Sequence, residues 1–158
     1  MSKITTCLWY ERDAETAARL YVSLFADSQI DAIHRNPIDG PSGAAGSVLV
    51  VEFTLAGRRH MALNGGMAMP YSNAVSIYVD CADQAEVDRL WDALLADGGR
   101  PEQCGWLRDR WDVPWQIIPA ALPRLIADPD PARAARAMAA MMEMVKIDIA
   151  ALERAADG

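Results

Sequence analysis

The hydrophobic pattern of the chain alternates between a strand period and a helix period. Two apolar, β-rich runs, SVLVVEFTL at 47–55 and RRHMALN at 58–64, are separated only by Ala56-Gly57, which predicts a β-hairpin. Apolar side chains recur instead at helical spacing in two other places, namely Ala17, Leu20, Tyr21, Leu24 and Phe25, and Val87, Leu90, Trp91, Leu94 and Leu95. The chain therefore mixes strands with amphipathic helices.

Two segments of the chain match in pattern at a spacing of 70 residues. They are TTCLWYERDAETAARLYVSLFAD, from residue 5, and VSIYVDCADQAEVDRLWDALLAD, from residue 75. Each opens with a predicted strand and continues into a helix that begins at an aspartate suited to N-capping, Asp13 or Asp83. Asp83 and Glu86 also have the spacing of a capping box. The pattern indicates a duplicated unit.

Each helix is followed by a set of predicted strands, so the chain is interpreted as two βαβββ modules at about 3–65 and 73–119. Each module has an apolar face that must be covered, and pairing the two would make a shared cup suited to a ligand. The tail, 120–158, is predicted to be helical, with Asp130 and Pro131 starting one helix and Asp148 a last one. We expect one α+β domain over 1–158.

Composition narrows the class of protein. The 158 residues are 52% hydrophobic and carry a net charge of −7, and their scattered Lys and Arg argue against nucleic-acid binding. Apolar runs are too short for a membrane span, and the N-terminus becomes charged too early for a signal peptide. Three cysteines without CxxC spacing favour reduced thiols and a cytoplasmic location.

Several longer motifs resemble one known group of proteins. They are MALNGG (61–66), AVSIYVDCADQAEVDRLWDALLADGG (74–99), QCGWLRDRWDVPWQIIP (103–119) and MVKIDIAALERA (144–155). These are similar to the PhnB-like subfamily of the vicinal oxygen chelate superfamily, which is widely labelled 3-demethylubiquinone-9 3-methyltransferase. The resemblance implies a curved, glyoxalase-type sheet followed by C-terminal helices. Asp112 replaces the glycine usual in the family, and aspartate tolerates the left-handed turn expected there.

The same resemblance implies four inward places where His, Glu or Gln would hold a divalent metal. Here those places fall near Ala74, near Gln116, on Thr5 and Cys7 of the first strand, and on Ala62 and Asn64 of the fourth. Such a set has no carboxylate or imidazole and is a poor metal site. His34 and His60 lack a second ligand at i+2 or i+4. We therefore expect neither a metal nor another cofactor.

A small organic ligand in the cup is the favoured function, and whether a reaction follows is left open. Cys104 is interpreted as a structural thiol, and the tryptophans of 104–119 are divided between the core and a pocket wall. The loop 36–46 either orders over a ligand or stays mobile. The candidate ligand contacts are Gln116, Asn64, Trp115, Cys7, Ser76 and Trp106.

Two alternatives remain at this point. One is a metal-dependent isomerase, lyase or dioxygenase, because a one-residue strand slip would turn Glu52, Gln116 or His60 inward. The other takes the family label literally, as methyl transfer to a quinone precursor, although neither glycine pair of the chain lies between a strand and a helix as a cofactor loop requires. The Met-rich tail and open sheet edges predict a homodimer.

Overall fold

The structure is a computed structural model that describes residues 3–158. It contains two compact units, and the boundary between them in the sequence falls between Pro70 and Tyr71. The elements of the first unit are β1 (Thr6–Tyr10), α1 (Ala14–Leu24), β2 (Gln29–Arg35), β3 (Val48–Leu55) and β4 (Arg58–Asn64). Those of the second are β5 (Ile77–Cys81), α2 (Gln84–Leu95), β6 (Arg100–Pro101), β7 (Trp106–Arg108), β8 (Pro114–Pro119), α3 (Ala121–Ile126), α4 (Pro131–Met142) and α5 (Ile149–Asp157).

Both units have the same sheet topology. The strand order is β1-β4-β3-β2 in the first and β5-β8-β7-β6 in the second. In each sheet the first and last strands of the module pair in parallel, and the remaining pairs are antiparallel. The duplicated βαβββ pattern and the α+β class predicted from the sequence are confirmed. That residues 1–158 form a single domain stays a prediction.

The first sheet buries one face under α1. Phe53 is fully buried and lies 6.4 Å from the ring of Tyr21, whose hydroxyl is 3.0 Å from that of Tyr10. The hairpin predicted between β3 and β4 is present, and both turn residues have positive φ, 46° at Ala56 and 74° at Gly57. Such angles are those of a type I′ turn, which matches the twist of the flanking strands.

The start of α1 differs from the prediction. Asp13 occupies the N-cap position, but its side chain makes no capping hydrogen bond. The amide of Ala14 donates instead to Asn64 Oδ1 at 2.8 Å, and Asn64 Nδ2 donates to the carbonyl of Val48 at 3.0 Å. Asn64 is 5% exposed. The cap of α1 is thus supplied by a strand 50 residues away.

We predict that Asn64→Ala lowers the free energy of unfolding by about 2–3 kcal/mol, because it leaves a buried amide and a partly buried carbonyl without partners. Glu11→Ala, at an exposed site just before α1, is the control, and its effect should stay below about 0.5 kcal/mol. Urea unfolding of both variants measures the difference. Equal losses in the two variants would show that the hydrogen bonds of Asn64 do not stabilise the start of α1.

The second sheet buries one face under α2 in the same way. Val87, Leu90 and Leu94 of the helix are buried, as are Leu107, Trp115 and Ile117 of the strands. At the start of α2 the predicted cap is present, because Asp83 accepts a hydrogen bond from the amide of Glu86 at 2.9 Å.

The C-terminal helices extend the core of the second unit. Ile118 and Leu122 pack with Ile147 and Leu152 in one buried cluster. The connection between α4 and α5 is also hydrogen-bonded to the turn before β7, since the amides of Cys104 and Gly105 donate to the carbonyls of Met144 and Val145, each at 2.8 Å. The helix starts predicted at Asp130 and Asp148 are confirmed, and both side chains accept capping hydrogen bonds. No helix in residues 3–158 has the length and apolarity that crossing a membrane requires.

The loop 36–46 is held by its own hydrogen bonds. The amide of Asn36 donates to the carbonyl of Ser47 at 2.8 Å, and Gly40 and Gly43 exchange two hydrogen bonds of 3.0 Å. Pro41 also lies so close to Gly66 that a Cβ on this glycine would come within 1.8 Å of the proline carbonyl oxygen. The loop is therefore ordered against the end of β4, and a role as a lid stays a prediction.

Candidate ligand site

A row of three side chains crosses the face of the second sheet that is opposite α2. Gln116 of β8 pairs with Tyr78 of β5 on one side and with Trp106 of β7 on the other. Directly paired residues point to the same face of a sheet, with Cβ atoms about 5 Å apart. Gln116 and Trp106 are half-buried, and Tyr78 is exposed. We call this set, with Ser76, the Gln116 row.

Gln116 uses only part of its hydrogen-bonding capacity. Its Nε2 lies 2.9 Å from Ser76 Oγ, and within residues 3–158 this is the one hydrogen bond of the side chain. The amide donates to the serine oxygen, so the serine O–H and the Oε1 carbonyl of Gln116 both stay available. The pair therefore presents a donor and an acceptor side by side on an accessible face.

Tyr78 is a member of the row that the sequence interpretation missed. Burial raises the pKa of its phenol above the ordinary value, with a smaller contribution from the negative charge of Asp80. The hydroxyl therefore stays neutral around pH 7. Strand alternation starting from Ser76 would have identified Tyr78, because residues two apart in a strand share a face.

Arg108 lies on the same face of the sheet as the row, two residues from Trp106 along β7. Arg108, whose side chain is only 11% exposed, forms ion pairs with Glu102 at 3.0 Å and Asp112 at 3.2 Å. It also donates to Asn73 Oδ1 at 2.7 Å, which fixes the segment leading into β5. Asp112 has a φ of 68°, as predicted for the turn residue. Because two carboxylates already neutralise Arg108, the row offers little attraction for an anion.

Trp115 faces away from the row. It is fully buried on the α2 side of the sheet, and its Nε1 donates to Asp109 Oδ2 at 3.0 Å. The predicted opposite orientation of Trp115 and Gln116 is present. Of the candidate residues, the structure brings Gln116, Ser76 and Trp106 together and places Trp115 beneath them in the core.

The two candidates in the first unit lie on opposite faces of their sheet. Asn64 belongs to the α1 side, where it caps the helix, and its paired neighbour Tyr10 is buried there too. Cys7 is exposed on the other face. Burial of part of the side chain raises the pKa of the Cys7 thiol, so it is a thiol and not a thiolate at neutral pH.

The two histidines are also separated by the first sheet. His34 Nε2 lies 2.9 Å from Glu52, and the same carboxylate is 3.4 Å from Arg59. His60 stacks on Phe53 with ring centroids 5.4 Å apart. Burial lowers the pKa of His60, which keeps the ring neutral. Glu52 and His60 therefore do not converge on one site.

The residues present do not fit the metal that the superfamily implies. Ala74 has no donor atom, Asn64 is occupied at the start of α1, and Gln116 supplies one amide. The side chains of β4 that face away from α1 are those of Met61 and Leu63, which alternate with Ala62 and Asn64. Across residues 3–158, no three His, Cys, Asp or Glu side chains are grouped closely enough to hold a metal ion.

Neither glycine pair forms a cofactor loop. Gly65 and Gly66 follow β4, but their amides donate to the carbonyls of Tyr10 and Glu11, at 2.8 and 3.0 Å. The segment after them is not helical. Gly98 and Gly99 follow α2 and precede β6. A nucleotide-type loop requires a strand, a glycine turn and a helix N-terminus, and neither pair has that order.

Comparisons with known proteins agree with this architecture. The family model described as 3-demethylubiquinone-9 3-methyltransferase matches residues 2–118, which ends before α3. The motif at 144–155 lies outside that range. No curated protein matches the chain.

Two solved structures are similar to the chain over most of their own length. A PhnB protein from Bacillus cereus, provisionally described as a 3-demethylubiquinone-9 3-methyltransferase, is 35% identical, with a TM-score of 0.65 over 73% of this chain and 97% of that one. A Pseudomonas aeruginosa protein shares the fold at 18% identity, with a TM-score of 0.59 over 73% of this chain and 95% of the other. The chain therefore belongs to the 3-demethylubiquinone-9 3-methyltransferase family and is a PhnB-like protein built from two βαβββ modules of the glyoxalase type.

Proposed function

We propose that this protein binds a small, uncharged, planar organic molecule at the Gln116 row, without a divalent metal. The observation that carries the proposal is the half-buried Gln116 amide, whose carbonyl end has no protein partner in residues 3–158 while its amino end is held by Ser76. Polar groups inside proteins are nearly always hydrogen-bonded. A ligand that covers the row would have to satisfy this carbonyl.

The hydrogen-bonding groups, aromatic surface and charge of the row determine which ligand fits it best. The Ser76 hydroxyl donates and Gln116 Oε1 accepts, so the best partner carries an acceptor and a donor on one edge. Tyr78 and Trp106 flank Gln116, and aromatic side chains provide apolar surface for a flat ring. Arg108 is neutralised by Glu102 and Asp112, so a negative charge gains nothing. A primary aromatic amide such as benzamide meets these conditions.

Binding, and not a reaction, is what the row supports. It holds no carboxylate, imidazole or thiol, and the raised pKa of Tyr78 makes its phenol a poor base. Methyl transfer, which the family description names, would need a cofactor loop that neither glycine pair provides. A metal-assisted reaction would need ligands that the inward positions lack.

The test is an NMR titration of the full chain with benzamide, and with benzoate as the charged counterpart. We expect benzamide to shift the Gln116 side-chain amide and the Trp106 indole N–H together, with millimolar affinity typical of a fragment. Benzoate should bind several-fold more weakly, because its charge is desolvated without a free cation.

Gln116→Leu should weaken benzamide binding by roughly tenfold, since it removes the acceptor at the centre of the row. Gln103→Leu is the matched control, because Gln103 is exposed in the turn before β7. The proposal fails if benzamide shifts neither resonance, or if both variants bind it as well as the original chain.

A further inference from the structure

The three C-terminal helices line a cavity that shares no residue with the Gln116 row. Its volume is about 320 Å³, which lies within the range of roughly 300–1,000 Å³ that small-molecule sites occupy. The lining combines five charged side chains with the apolar side chains of Ala121 and Leu125. The size and composition of the cavity therefore suit a small, polar molecule with an apolar part.

Three of the charged side chains neutralise one another. Arg133 Nε lies 3.1 Å from Asp128 Oδ2, and Arg133 also forms an ion pair with Asp157. Arg136 donates to the carbonyl of Ala156 at 3.0 Å, which ties the end of α5 to α4. These contacts join the turn between α3 and α4, the helix α4 and the end of α5. This part of the cavity wall is therefore held in place by its own ion pairs.

The other two charged lining residues are Arg124 of α3 and Glu153 of α5. Arg124 Nε donates to the carbonyl of Ala120 at 3.3 Å, and within residues 3–158 neither Arg124 nor Glu153 has an ion-pair partner. Their helices pack on one buried cluster through Leu122 and Leu152. Two opposite and unpaired charges are thus presented to the same cavity from two fixed helices.

We propose that this cavity binds a free α-amino acid with an aliphatic side chain. The α-carboxylate pairs with Arg124, because the planar guanidinium matches a carboxylate. The α-ammonium pairs with Glu153, and Asp157, one turn further on the same face of α5, adds a second negative charge. The aliphatic side chain packs on Ala121 and Leu125. This inference goes beyond the proposed function and is independent of it.

Molecules with a single charge match the cavity less well. Its lining contains two arginines and three carboxylates, so an anion meets a net negative charge. A cation alone leaves Arg124 without a counter-ion. A zwitterion supplies both charges at once, and an aliphatic side chain suits the apolar part of the lining.

The exposure of the two charges sets the expected strength. Arg124 and Glu153 are both exposed, and ion pairs in such positions contribute little to binding. We therefore expect millimolar affinity. Raising the NaCl concentration from about 0.05 to about 0.5 M should weaken binding roughly threefold, because salt screens both pairs.

An NMR titration of the full chain with L-leucine is the first arm of the test. We expect leucine to shift the backbone amides of Arg124, Leu125 and Glu153 and to leave the Gln116 side-chain amide unchanged. 3-Methylbutylamine, which lacks the carboxylate, and 4-methylpentanoate, which lacks the ammonium, should each bind roughly fivefold more weakly. No shift at the cavity with leucine, or equal binding of leucine and either analogue, would overturn the proposal.

The second arm assigns each charge of the ligand to one residue. Arg124→Gln should remove the preference for leucine over 3-methylbutylamine, and Glu153→Gln should remove the preference for leucine over 4-methylpentanoate. Arg154→Gln, at an exposed site of α5 outside the lining, is the matched control and should keep both preferences. Urea unfolding checks that the variants remain folded. If the preferences survive in the first two variants, or disappear in the control, these residues do not bind the amino acid.

Discussion

Asp109→Ala should be the most destabilising side-chain truncation near the ligand site, lowering the free energy of unfolding by about 3–5 kcal/mol. Asp109 is 3% exposed. Its Oδ1 accepts from the amides of Trp111 and Val113, at 2.9 and 3.1 Å, and its Oδ2 accepts from Trp115 Nε1 at 3.0 Å. Removal of the carboxylate leaves three donors without their acceptor. Urea unfolding, followed by tryptophan fluorescence, measures the loss.

Two further variants show which hydrogen bonds of Asp109 account for the expected loss of stability. Asp109→Asn keeps an oxygen for the two backbone amides and loses only the acceptor of the Trp115 indole, so we expect a smaller loss of about 1–3 kcal/mol. Asp92→Ala, at an exposed site on α2, should change stability by less than about 0.5 kcal/mol. An Asp109→Ala protein as stable as the Asp92→Ala protein would refute this role of the carboxylate.

Gly66→Ala should detach the loop 36–46 from the end of β4 and lower the free energy of unfolding by about 2–4 kcal/mol. Two causes combine at this glycine. Its φ is +80°, and an added Cβ would come within 1.8 Å of the backbone oxygen of Pro41. Hydrogen exchange should therefore become faster at the amides of Gly40 and Gly43, which bond each other across the loop.

Gly46→Ala is the control that separates the effect of backbone strain from the effect of the collision between the added Cβ and Pro41. Gly46 has a φ of +83° in the same loop, but an added Cβ meets no atom within 4 Å. Its loss should be limited to about 1 kcal/mol, the effect of the left-handed conformation alone. If both variants lose the same stability, the contact between Pro41 and Gly66 does not hold the loop.

The local pattern predicted the fold well but placed individual site residues less well. Periodicity and turn chemistry identified the duplicated βαβββ order, the hairpin at Ala56-Gly57 and the starts of α2, α4 and α5, because each depends on neighbours in sequence. The cap of α1 was assigned wrongly to Asp13 because its true partner, Asn64, is brought there by sheet pairing. The two residues of that contact, Ala14 and Asn64, are 50 positions apart in the sequence. Patterns of neighbouring residues therefore could not predict it.

Asn64 was assigned to the ligand-facing side from the family resemblance, and the pattern of β4 could not correct that assignment. The two faces of β4 carry Met61 and Leu63 on one side and Ala62 on the other, so apolar residues line both and alternation does not identify the buried face. The role of Asp109 was missed for a related reason. It stands in the charged run RDRWD, which is typical of a solvated turn, and only the fold places Trp115 beside it.

The central claim is that the Gln116 row binds a small uncharged molecule without a metal. The most direct measurement is the benzamide titration of the full chain, followed through the Gln116 side-chain amide, in EDTA and again with excess Zn²⁺. The account predicts the same midpoint in both solutions. A shift of the Gln116 resonance that occurs only after Zn²⁺ is added would contradict it and would identify a metal site that these residues do not indicate.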